Sequence, residues 1–217
     1  MRRIDLFDDI MEGKSHQEIL RHNIETLNIE NPANDTEEML MNVSKSLKQN
    51  KIIDIDKRYA CCFFLGSHES MAMWKIYSKP GSVALKYEPR YFADSLETKI
   101  DEQQDIGRFK KIIFGKVKYT DFLTPVKVKD RAFRKNKSYQ HEQEVRLMIE
   151  LKQKDSERKG IQYKTHFPFL GGLEIIAHPA TSKWQLHNLN DLTSKYQPNY
   201  KVSESMLKDT LRYGADF

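Results

Sequence analysis

The octapeptide Glu144-Val145-Arg146-Leu147-Met148-Ile149-Glu150-Leu151 sets Val145, Leu147, Ile149 and Leu151 at every second position. That period belongs to a β-strand with one face turned to a core, so the chain must contain a sheet. Tyr59 to Leu65 is a short aromatic-rich apolar run that reads as a buried central strand. Further strands are predicted over 82–87, 111–122, 161–167 and 173–177, with an edge strand near 200–202. Helical signals interleave with them. Met71, Trp74 and Tyr77 form a stripe at three-residue steps that Pro80-Gly81 stops, and a short helix is predicted over 89–96. Thr181 or Ser182 caps a helix whose core side carries Leu186, Leu189, Leu192 and Tyr196. At the N-terminus, Ser15 with Glu18 and Asp35 with Glu38 have capping-box spacing, on either side of the breaker Asn31-Pro32-Ala33-Asn34.

Strands and helices mix without strict alternation, which gives the α+β class. The expectation is a single domain over 1–217 with a mixed sheet and helices packed on it. An N-terminal helical pair over 1–55 covers a core over 56–205. Apolar residues at 39% and charged residues at 31% supply a core and exclude disorder as the main description. No apolar run approaches the roughly 18–20 residues that span a bilayer, and Met1 to Asp9 lacks the apolar stretch of a secretory signal. Cys61 and Cys62 are adjacent, where a disulfide would be strained, so a reducing, cytoplasmic setting is expected. The seven histidines show no metal-binding helix spacing, and two cysteines are too few for a cysteine-based zinc site. His178, before Pro179, reads as structural. Ser67-His68-Glu69 lacks the glycines of a hydrolase elbow, and no glycine-rich phosphate loop occurs.

Two segments can carry chemistry. In the first, Glu142, Glu144 and Arg146 are expected to share one strand face. One carboxylate there can stabilise an oxocarbenium-like transition state while its neighbour activates an acceptor; the alternative is a solvated face of cross-strand ion pairs. In the second, Lys127, Lys129, Arg131, Arg134, Lys135 and Lys137 crowd eleven residues of a chain whose net charge is only +5. With Phe133 and Tyr139 nearby, the stretch can follow a phosphate backbone, close over an anionic ligand, or lie as a mobile solvated loop.

Read together, these segments resemble the bacterial domain-of-unknown-function family 2971. The resemblance runs through Cys62-Phe63-Phe64, Met73-Trp74-Lys75-Ile76-Tyr77, Gly81, the strand Val83 to Glu88 and Val117-Lys118-Tyr119. Its most specific part is Lys135, Tyr139, Glu142, Glu144 and Arg146, and it ends on Ile175 to Tyr196. Phe64 stands where the family has Ser, and Phe7-Asp8-Asp9-Ile10-Met11-Glu12 matches the family's Phe-Asn-Asp-Pro-Phe-Glu loosely. The family has a strand and helix ahead of that point, so an N-terminal piece is expected to be missing here. The organisation is similar to ADP-ribosyltransferase folds, whose Glu-x-Glu strand contacts the nicotinamide ribose of NAD. The resemblance implies an NAD-using transferase or NAD glycohydrolase, a toxin or defence effector, with NAD as substrate and no firm cofactor. Glu144 would stabilise ribosyl-cation character and Glu142 would activate the acceptor. Arg146 or Lys135 would hold phosphate, Tyr139 would join the binding residues, and Trp74 and Tyr77 would wall the pocket. The alternative is a non-catalytic module that engages nucleic acid or a protein through Lys127, Lys129, Arg131, Arg134 and Lys137.

Overall fold

A strand buried on both sides explains most of what surrounds it, and residues 144–151 are buried at every position. The computed structural model describes residues 1–7, 9, 12–14, 55–92, 106–121, 130–155, 157–163 and 173–208. In chain order the strands are β1 (Arg2–Arg3), β2 (Arg58–Phe64), β3 (Val83–Lys86), β4 (Phe109–Lys116), β5 (Lys118–Thr120), β6 (Arg134–Asn136), β7 (Glu144–Leu151), β8 (Glu174–Ala177) and β9 (Lys201–Glu204). The helices are α1 (Met71–Tyr77) and α2 (Lys183–Tyr196). The class is α+β, with antiparallel and parallel pairs both present. The expected helical cover over 1–55 is corrected at its start, where Arg2–Arg3 form an edge strand on β2 and Ile4–Leu6 a 3-10 turn. Residues 15–54 lie outside the described residues, as do 93–96 and 164–167, while 89–92 are helical as expected and 161–163 are not strand.

The chain gathers into two compact units, each built from two separated stretches: Met1–Phe63 with Gly107–Gln162, and Phe64–Ile106 with Tyr163–Phe217. In the first unit the sheet order is β1-β2-β7-β4. β4 and β7 are antiparallel, with Phe109 opposite Leu151 at one end and Lys116 opposite Val145 at the other. One face of β7 is apolar as its alternation requires. The other carries Glu144, Arg146 and Glu150 around Met148, which packs with Ile4, Ala60, Ala132 and Phe133. The predicted strand over 111–122 is two strands, because Val117 turns its backbone N–H to the Glu144 carbonyl and the chain then pairs in parallel with β6.

In the second unit β8 lies between antiparallel β3 and parallel β9, and α2 makes the crossover from β8 to β9. Ser182 and Gln185 form a reciprocal capping box at the start of α2. The inward face of α2 holds Leu186, Leu189 and the buried Thr193, whereas Leu192 and Tyr196 are exposed. This corrects the predicted face: at 100° per residue the line 186–189–193 closes on itself and Leu192 falls off it. In α1, Trp74 is buried as its stripe predicts, but Tyr77 is 63% exposed. Steps of three drift around a helix of 3.6 residues per turn, so the stripe leaves the core by its third member. Trp74 Nε1 donates to Glu69 Oε2 at 2.9 Å, and its ring meets His178 edge-on at 5.2 Å. Gly81 takes φ +88° in the turn that follows α1.

Candidate functional site

Asp130 opens the stretch that builds the site. Its side chain caps a short 3-10 turn over Arg131–Phe133 by accepting from Ala132 N at 3.0 Å, and it also accepts from Arg58 Nη1 at 2.6 Å. β6 follows, then a second 3-10 turn over Lys137–Glu142, capped by Asn136. Gln143 takes the left-handed conformation, φ 40° and ψ 51°, and β7 begins at the next residue. Glu142 therefore lies on the 3-10 turn and not on the strand, which corrects the expected three-residue strand face. The left-handed residue nevertheless returns both carboxylates to one cation: Lys135 Nζ lies 2.6 Å from Glu142 Oε2 and 3.5 Å from Glu144 Oε2. The Tyr139 ring lies 4.6 Å from the same ammonium.

Arg146 is wholly buried, and each of its nitrogens has a partner. Nε and Nη2 grip the two oxygens of Glu144, the latter at 2.9 Å, Nη1 donates to the Ala132 carbonyl at 2.5 Å, and Nη2 also pairs with Glu12. The Phe7 ring stacks 5.5 Å from the guanidinium. Four of its five N–H groups are thus engaged and the side chain is wholly buried, so Arg146 acts to fix Glu144 rather than to meet a phosphate. Gly13, buried with φ +76°, makes the turn beside Glu12, and Arg134 Nη2 donates to the Lys14 carbonyl at 3.0 Å.

The surroundings shift the titrations. Burial raises the Glu144 carboxyl above its usual range; the Cys62 hydrogen bond and Lys135 pull it down, while Glu142 pushes it up. Cys62 keeps an exposed surface, yet desolvation around its thiol, first, and the negative charge of Glu144, second, raise it above its usual value. Burial lowers Arg146 to about 9, against the field of Asp9, which leaves it mostly charged at neutral pH. Tyr119 accepts from the Glu144 backbone N–H at 2.7 Å, and burial raises its hydroxyl. A second buried network lies further along β7, where Arg58 also reaches Glu150 at 3.2 Å and Lys110 reaches Glu150 at 2.6 Å.

The basic stretch is not the solvated loop that its composition suggests. Arg134 and Lys135 are buried and Arg131 is half-buried; only Lys137 is exposed, and Lys127 and Lys129 lie outside the described residues. The carboxylates of Glu142 and Glu144 and the carbonyl of Lys14 account for this, because they draw the cations inward. Trp74 and Tyr77 belong to the second unit, whereas Lys135, Tyr139, Glu142, Glu144 and Arg146 all belong to the first. Sequence reasoning missed Cys62, Tyr119 and Glu12 as members of the cluster. The loose match over 7–12 was the signal for Glu12, since Phe7, Asp9 and Glu12 of that segment are the residues that address Arg146.

Both cysteines are free. Among the described residues no group of three or more His, Cys, Asp or Glu side chains is placed to hold a metal ion, and no helix is long and apolar enough to cross a membrane. No protein-family model, curated protein or solved structure matches the chain.

Proposed function

We propose that the first unit carries an NAD-using site of the ADP-ribosyltransferase or NAD-glycohydrolase kind, in keeping with the resemblance to family 2971 and with a bacterial toxin or defence role. The observation that carries this reading is the convergence of Glu142 and Glu144, from either side of left-handed Gln143, on the single ammonium of Lys135. In the reaction, the bond between the nicotinamide nitrogen and ribose C1′ breaks and its electron pair leaves with nicotinamide. Glu144, held in one orientation by Arg146, faces the positive charge that develops on the ribose. Glu142 takes the proton of the incoming hydroxyl, from water or from an acceptor, as C1′ bonds to its oxygen. Lys135 is the cation for the pyrophosphate, in place of Arg146. Burial of Arg134, whose guanidinium donates to the Lys14 carbonyl, counts against the alternative in which that residue grips nucleic acid.

The test is nicotinamide release from NAD by the wild type and by Glu144→Gln, with circular dichroism to establish folding. Release should fall at least about a hundredfold in the variant, the scale of losing one preorganised charge-stabilising group. A folded wild type that releases none refutes the proposal.

A further inference from the structure

Three separate stretches bring basic side chains to the end of the first unit where β7 leaves the sheet. The turn over 152–159 supplies most of them. Lys152 N donates to the Arg108 carbonyl at 2.8 Å, which brings in the residue ahead of β4. Arg3 N donates to the Lys159 carbonyl at 3.0 Å and Arg2 bridges to Gly160, which brings in β1. Among the described carboxylates here Glu157 is exposed with no described cation paired to it, and the others are shared or engaged. Asp155 serves both Arg158 at 3.0 Å and Arg108 at 3.6 Å, Lys154 pairs with Asp56, and Arg3 pairs with Asp5 at 2.7 Å. Arg2, Lys152 and Lys159 are exposed and have no carboxylate partner among the described residues. Among the described residues Arg2, Arg3, Arg108, Lys152, Lys154, Arg158 and Lys159 stand against Asp5, Asp56, Asp155 and Glu157, so positive charge is in excess at this end.

The kind of partner follows from what the patch lacks. Every exposed large hydrophobic side chain among the described residues lies at 76–91 or 184–206, in the second unit. Among the described residues, this end of the first unit offers no exposed apolar anchor for a lipid surface and no exposed aromatic ring on which an unpaired base would stack. Surface cations without either are suited to a regular array of phosphates. We propose that this end of the first unit is a sequence-independent docking surface for duplex nucleic acid, with Arg2, Lys152 and Lys159 on the phosphates. The surface rests on no part of the NAD reading.

The test is the salt dependence of binding of the full chain to a short labelled DNA duplex, followed by fluorescence anisotropy. Each phosphate contact contributes a slope of about 0.9 in log K against log salt, so R2Q/K152Q/K159Q should flatten the slope by about 2.7 and K152Q alone by about 0.9. The control K116Q/K118Q removes charge from exposed lysines at the other end of the β4–β7 pair, seven residues or about 24 Å along the strand. It should leave the slope unchanged. The single variant keeps the test decisive if the triple variant misfolds. The proposal is overturned by a wild type that binds no duplex at low salt, by equal slopes for wild type and K152Q, or by a control that flattens the slope as much as the patch variant. Capture on vesicles of phosphatidylserine and phosphatidylcholine without duplex binding overturns it in favour of a membrane.

Discussion

Arg146→Met is the sharpest perturbation of the buried cluster. Arg146 is 0% exposed, and the substitution strands two carboxylates, Glu12 and Glu144, and the Ala132 carbonyl, with Lys135 at 3.5 Å as the cation nearest to Glu144. Removing one partner of a buried ion pair costs about 3–5 kcal/mol, because the other charge stays desolvated. At about 2–4 °C per kcal/mol for a chain of this size, the midpoint should fall by roughly 6–20 °C. Glu12→Gln in the wild type should cost less, about 1.5–3 kcal/mol for a hydrogen bond to a charged group, since Glu144 still neutralises Arg146. In the Arg146→Met background the same Glu12→Gln change should be neutral or stabilising, because it discharges a carboxylate that has lost its partner. Urea unfolding followed by circular dichroism on the four proteins closes the cycle. A loss below about 1 kcal/mol for Arg146→Met, or an equal cost of Glu12→Gln in both backgrounds, would refute the ion-pair account.

Two further outcomes follow from the same structure. Burial raises Glu144 above the ordinary 4.5, so the folded state holds a proton that the unfolded state has released. Its contribution is present below about pH 4.5 and is lost as pH climbs through the raised value. Glu150 has the opposite sign: burial alone would raise it, but Lys110 and Arg58 overcome that and hold it low, so its contribution is present above 4.5 and is lost as pH falls. Glu144→Gln should therefore flatten the decline of unfolding free energy on the alkaline side of 4.5, and Glu150→Gln the decline on the acid side; identical pH profiles would contradict the assignment. In the second unit, Trp74→Ala should cost about 3–5 kcal/mol. Trp74→Phe, which keeps one ring and loses the bond to Glu69 and part of the indole volume, should cost about 1–2 kcal/mol, and similar midpoints for the two would show that the ring does not fill a core.

What the sequence made legible was local. The alternation of 144–151, the apolar run of β2 and the Ser182 cap each depend on residues within one turn or one strand, and each element is present. The cluster was only half legible. Glu144 and Arg146 share a face by the period of the strand, but Glu142 depends on the left-handed backbone of Gln143, which no glycine or asparagine announced. Arg134 and Lys135 read as solvent-seeking because their partners are a backbone carbonyl far earlier in the chain and a carboxylate seven residues on. Glu12 answers Arg146 across 134 positions, and no periodicity reports a pair of that kind.

That long-range pairing bears on the order in which the molecule can be assembled during synthesis. The strand formed by Arg2 and Arg3 is secured by residues 159–160 as well as by β2, and Lys14 waits for Arg134. As the chain emerges from the ribosome, the segment at Arg2 and Arg3 finds these partners only after more than 150 further residues have been made, residues 64–106 of the second unit among them. Topology of this kind folds slowly and leaves strand edges open while translation proceeds. An early-released fragment that ends before residue 144 would lack both Glu144 and Arg146, leaving Glu12 a carboxylate without its cation and β2 without the strand that should lie beside it.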